Sequence, residues 1–123
     1  MIHLDTSFLI QALVPESAAA TKLETWLTSG EDLGISSIAL SEFLCGPLTS
    51  NDASIVESLF AVPEPFLASD AAKAAELFNG TGRRSRSLAD CQIAAVAIRC
   101  VARVATSNVP DFMLFQSYGL ILA

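Results

Sequence analysis

Short apolar segments of strand length (Ile2–Leu4 and residues 33–36, 103–106 and 120–122) alternate with longer stretches of helical composition, and this alternation most limits the folds open to the chain. Pro15 ends a helix over 6–14, Ser17 caps a second that runs to about residue 28, and Gly30 closes it. Ser37 is expected to cap a helix over 38–45 that stops at Gly46-Pro47. Asn51 or Asp52 opens another through Phe60, and Pro63 and Pro65 then leave Phe66-Leu67 as a short strand candidate. Ser69 is expected to cap an Ala-rich helix over 70–78, followed by a polar loop over 81–87. Residues 88–100 form a strongly apolar helix buried on most sides. Short strands separated by helices indicate an α/β fold, a mainly parallel central sheet flanked by helices, in a single domain over 1–123.

Hydrophobic residues make up 52% of the chain and the mean hydropathy is +0.51, yet no apolar run approaches the roughly 20 residues that cross a bilayer. A strand-like segment directly after Met1 argues against a signal peptide, so a cytoplasmic globular protein with no membrane contact is expected. The apolar surplus suggests a partner or a self-association surface. Cys45, Cys91 and Cys100 lack C-x-x-C spacing and are expected to be reduced thiols packed as small apolar residues. His3 is the only histidine, so no Ser-His triad is available.

Four acids sit beside the apolar segments. Asp5 follows the first strand, Glu42 lies inside 38–45, Asp90 opens the 88–100 helix and Asp111 lies in the loop after residues 103–106. Carboxylates beside a core are costly unless paired, hydrogen-bonded or bound to a cation. Only seven Lys and Arg face thirteen Asp and Glu, so a divalent cation shared by the four is the economical expectation. In a parallel sheet, sites form beyond the carboxyl ends of the strands, where these acids are expected to meet. With four acids assigned to that site, nine remain against seven bases, and the net charge of −6 neither excludes nor indicates a nucleic-acid substrate.

Four pieces carry a family resemblance: Leu4-Asp5-Thr6-Ser7, residues 35–46 around Ser41-Glu42-Phe43, residues 88–97 opening Leu88-Ala89-Asp90, and residues 104–112 containing Thr106-Ser107-Asn108 and Asp111. In this order and across essentially the whole length, the chain resembles a PIN domain of the VapC toxin group of small ribonucleases. The resemblance implies a PIN-like three-layer domain. It implies Asp5, Glu42 and Asp90 as metal ligands and Asp111 as a fourth acid, often acting through water. Thr6 would support the site beside Asp5, while Thr106 and Asn108 would orient the acids or a water. It further implies an RNA substrate, a VapB-like antitoxin that covers apolar helices and blocks the site, and a homodimer. Ser107 stands where many relatives carry a basic or polar residue, and Pro110 restricts the chain directly before Asp111.

The residue types suit that chemistry independently. Mg2+ prefers hard oxygen ligands, with Mn2+ as an alternative. A bound divalent cation makes water a nucleophile near neutral pH and offsets charge on phosphate, and Asp90 or Asp111 would assist as general base. Arg83, Arg84 and Arg86 would contact RNA phosphates or anchor an acidic antitoxin segment. Trp26, Phe8, Phe43 and Phe60 would line an antitoxin groove or belong to the core. Two other readings stay open. An aspartyl-nucleophile phosphatase would want an acid where Ser7 stands and a lysine late in the chain, whereas only Lys22 and Lys73 occur. A non-catalytic PIN-like binding module would keep the fold and lack the activity.

Overall fold

The computed structural model describes all residues 1–123 and holds four parallel strands flanked by seven helices. Strand β1 (Ile2–Leu4) is followed by α1 (Thr6–Ala12) and α2 (Ala18–Thr28), then β2 (Leu33–Gly34). Four helices come next: α3 (Ser37–Leu44), α4 (Ser50–Leu59), α5 (Ala68–Gly80) and α6 (Leu88–Arg99). The chain closes with β3 (Arg103–Ala105), α7 (Val109–Met113), a 3-10 turn over Gln116–Tyr118, and β4 (Ile121–Leu122). The expected mainly parallel sheet is parallel throughout, in the order β2-β1-β3-β4, with His3 opposite Gly34 on one side and Val104 on the other.

That order places β1 and β3 side by side while their connections leave in opposite directions, toward β2 and β4. The gap at their carboxyl ends is the topological switch point, where open α/β sheets bind ligands. All three residues of β1 are buried because strands lie on both its edges and helices flank the sheet. His3 fits there because Gly34 opposite lacks a side chain; a Cβ at that position would sit 2.8 Å from the imidazole.

The core is one cluster built on β1, β3 and α6. Helix α6 buries Cys91, Ile93, Ala94, Ala95, Val96 and Ala97, and its alanines let α3 and α5 approach closely. It ends in a Schellman motif, with Ala102 N–H donating to Ala97 O and Val101 N–H to Ile98 O. Val101 therefore carries a left-handed φ of 54°, a position that usually selects glycine.

Several caps differ from the sequence reading. Ser36, not Ser37, caps α3: its backbone is extended and its hydroxyl accepts Ala39 N–H at 3.1 Å. The Ser37 hydroxyl instead accepts Phe66 N–H at 3.0 Å. Thr49 caps α4 by accepting Asp52 N–H at 3.0 Å, earlier than Asn51 or Asp52. Leu67, not Ser69, occupies the cap position of α5, and the Asp70 carboxylate reaches back to its N–H at 2.9 Å. Residues 66–67 are not a strand; an isolated parallel bridge joins Ser36 to Glu64 instead.

Far from the switch point, Asp70 is buried and both its oxygens accept Arg99 Nε, at 2.9 and 3.1 Å. Arg99 also donates through Nη1 to Glu64 at 2.8 Å and through Nη2 to Pro65 O at 3.0 Å. These bonds hold the Arg99 guanidinium above the usual arginine range and tie the end of α6 to the start of α5.

Candidate active site

Asp5 follows β1 at the N-cap position of α1, yet its carboxylate makes no capping bond. Its backbone belongs to the sheet, the N–H donating to Ala105 O at 2.9 Å, and the residue is only 3% exposed. The side chain turns toward β3. Oδ2 accepts the Ser7 hydroxyl at 2.7 Å and the Thr106 hydroxyl at 2.8 Å. The Thr106 oxygen in turn accepts Asn108 N–H at 2.9 Å, and the Ser7 oxygen accepts Ser107 N–H at 3.1 Å. One carboxylate oxygen is thus fixed by two hydroxyls, each locked by a backbone amide, while Oδ1 has no donor from the protein.

Glu42 projects from the second turn of α3 toward Asp5, and its Oε1 accepts the Thr6 hydroxyl at 3.0 Å. That hydroxyl also faces Ala39 O at 3.1 Å, which couples α1 to α3 directly beneath the acid. Partial burial and the Asp5 charge raise the Glu42 carboxyl, and the Thr6 hydrogen bond opposes them. Asp90 sits in the first turn of α6 without serving its cap. Burial first, then the charges of Asp5, Glu42 and Asp111, push its carboxyl from 3.8 up to about 6, with Arg84 opposing. Such a rise follows when like charges share a partly desolvated site with too few cations.

Asp111 lies in the first turn of α7, not in a loop, because Pro110 starts that helix instead of breaking the chain. The side chain is exposed and meets Arg84, with Oδ1 at 3.6 Å from Nη1. Arg84 is accordingly the one member of the arginine loop placed at the acids; Arg83 and Arg86 are exposed and take left-handed φ values of 51° and 66°. The Thr6 and Thr106 hydroxyls reach the acids as expected, whereas Asn108 acts through its backbone amide. Ser7 was missed as a contributor; its one sequence signal is a hydroxyl two residues after the strand-end aspartate.

Phe8 and Phe43 are buried core residues, Phe60 is buried and also lines an apolar hollow with Leu40 and Leu44, and Trp26 packs on Phe8 with ring centroids 5.4 Å apart. Cys45 is exposed, unlike the packed thiol expected, because it caps the end of α3 on the solvent side.

The acids come together at the switch point as a set of hard oxygen donors whose charges act on one another. No three His, Cys, Asp or Glu side chains converge tightly enough to hold an ion on side chains alone. Mg2+ typically takes one or two carboxylates, keeps several waters and shares a substrate phosphate, so an ion held here would be completed by water and not by a third side chain.

The PIN domain family model matches residues 2–109. The chain belongs to the PIN domain family. Solved structures share this PIN fold over nearly their whole length. FitAcB from Neisseria gonorrhoeae is 25% identical with a TM-score of 0.72, covering 100% of this chain and 97% of that one. VapBC2 from Rickettsia felis, bound to a DNA fragment from its promoter, is 23% identical with a TM-score of 0.76, covering 100% and 98%. VapC20 of Mycobacterium tuberculosis, described as a sarcin-ricin loop cleaving toxin, is 17% identical with a TM-score of 0.71, covering 100% and 98%. No curated protein matches this PIN domain.

Proposed function

We propose that this PIN domain is a metal-dependent endoribonuclease toxin of the VapC kind, hydrolysing RNA phosphodiester bonds and restrained by a VapB-like antitoxin. One observation carries the reading: Asp5 is buried at the switch point, fixed through one oxygen, with Glu42, Asp90 and Asp111 acting on the same space. Structural neighbours that are VapBC complexes, and one described as cleaving the sarcin-ricin loop, support RNA and an antitoxin as partners.

Asp5, Glu42 and Asp90 would hold Mg2+ or Mn2+, one or two of them directly and the others through water, with Asp111 joining directly or through water. When bound, the cation supplies Lewis-acid activation of a water and neutralises charge building on the phosphate. The chain's own residues do the rest. Ser7 and Thr106 keep Asp5 in one rotamer, and Thr6 does the same for Glu42. Asp90 or Asp111 would assist as general base, taking the proton of the water whose oxygen attacks phosphorus, while the phosphorus–oxygen ester bond breaks and the leaving oxygen is protonated from solvent.

The antitoxin would cover the apolar hollow of about 340 Å³ between α3 and α4, lined by Leu40, Leu44, Val56, Phe60 and Pro63. Exposed Ile10, Val14 and Leu27 on or beside α1 and α2 extend the apolar surface available to it or to a second copy in a homodimer. No helix is long and apolar enough to cross a membrane, and a cytoplasmic location belongs to the same proposal.

Cleavage of a fluorescent RNA panel with Mg2+, with EDTA, and by Asp5→Asn protein tests the reading. Cleavage that needs both metal and Asp5 supports it. The separation of the carboxylates favours a second reading, a binding module without catalysis. Folded, antitoxin-free protein that cleaves nothing on the panel would select that one.

A further inference from the structure

We propose that Arg84 is a mobile counter-ion of the site: Asp111 holds it until RNA binds, when it transfers to a backbone phosphate. This rests on the nuclease reading and adds a residue that recognises the substrate. Arg84 is the only cation among the charges that act on Asp90.

Its present contacts are loose. Nη1 stands 3.6 Å from Asp111 Oδ1 and Nη2 3.4 Å from Asp111 O, beyond the 2.7–2.9 Å of a well-made charged hydrogen bond. Its Nε is buried without an acceptor, which leaves a donor unsatisfied beside a charged site. Arg99 shows the contrast, with Nε, Nη1 and Nη2 all engaged between 2.8 and 3.1 Å. Its two weakly held Nη groups offer a planar fork to two phosphate oxygens, the geometry that distinguishes arginine from lysine, and a shift of the Arg84 side chain toward them would relieve the buried Nε. A cation taking the carboxylates would weaken the hold of Asp111 on Arg84.

The signature is a pair of opposite effects. Arg84→Gln should bind Mn2+ several-fold more tightly, measured by electron paramagnetic resonance without RNA, because a competing positive charge is gone. In a cleavage-silent Asp5→Asn background, the same change should weaken binding of a fluorescein-labelled mixed-sequence single-stranded RNA about tenfold. The slope of log affinity against log salt should become shallower by about 0.7. Arg84→Lys should keep the metal affinity of the wild type and still lose RNA affinity, so it carries the test if Arg84→Gln does not fold. Arg83→Gln should leave Mn2+ binding unchanged. Unchanged or weaker Mn2+ binding in Arg84→Gln, or an unchanged RNA salt slope, overturns the assignment. If wild type still cleaves RNA in those cases, only Arg84 has been misassigned; wild type that neither binds Mn2+ nor cleaves RNA removes the nuclease reading and this inference with it.

Discussion

Replacing Asp90 with Asn should make the metal-free protein more stable while abolishing its activity. Burial and three neighbouring acids raise the Asp90 carboxyl from 3.8 to about 6. That difference corresponds to about 3 kcal/mol against the charged form in the fold. The side chain is half-exposed, so solvent screening reduces this to about 1.5 kcal/mol. An acid raised in the fold is penalised when ionised, so the penalty is full well above pH 6 and vanishes below 3.8. Asp90→Asn should therefore gain about 1.5 kcal/mol at pH 7.5 and about 0.5 kcal/mol at pH 4.5. Urea denaturation followed by circular dichroism in EDTA, at both pH values, reads the difference. Both chains carry His3, whose pKa is lowered chiefly by burial and which costs stability as pH falls below 6.5; comparing the variants cancels that contribution. Saturating Mg2+ should then stabilise wild type and leave the Asn variant nearly unmoved. A variant no more stable than wild type at pH 7.5, or a gain equal at both pH values, would refute the electrostatic account of the site.

Three further outcomes are expected. Thr106→Ala removes one of two donors to Asp5 Oδ2 and the acceptor of Asn108 N–H, so cleavage should fall and stability should drop by about 1 kcal/mol, measured by single-turnover rates and urea midpoints. Asp70→Ala should cost about 2–3 kcal/mol in chemical denaturation, short of the usual 3–5 for a buried pair because Arg99 keeps Glu64 and some solvent. Val101→Gly should gain about 0.5–1 kcal/mol, seen as a higher Tm, since the side chain is 84% exposed and only its left-handed backbone is relieved.

The strands and most helices were legible because their signals are local. Pro15 and Ser17 bracket the α1–α2 turn, and the Ser17 hydroxyl accepts Ala20 N–H at 3.0 Å as a cap should. Neighbouring serines blurred the start of α3: Ser36 and Ser37 have equal propensity, and only the extended backbone of Ser36 decides. Asp111 reads as a loop residue after the restricting Pro110, but the fixed φ of that proline opens α7 and carries Asp111 into its first turn. That Asp5, Glu42, Asp90 and Asp111 come to one edge of the sheet was legible from their flanks; how their side chains are held was not. Ser7 and Thr106 meet across 99 residues, and Asp70 and Arg99 across 29, distances over which no propensity or cap rule acts. Phe8 and Phe43, which are core, and Phe60, which is buried yet lines the hollow between α3 and α4, show the converse limit, since apolar composition alone does not separate a groove from a core.

Helix α6 carries Asp90 in its first turn and Arg99 at its last residue, so a rod of 12 residues, about 18 Å long, joins the acidic cluster to the Asp70–Glu64 anchor. A genetic selection for inactive chains would therefore recover two classes of allele. Changes at the acids would abolish activity in well-folded protein at any temperature. Changes at Asp70 or Arg99 would loosen the far end of the rod, giving conditional alleles that work in the cold and fail on warming.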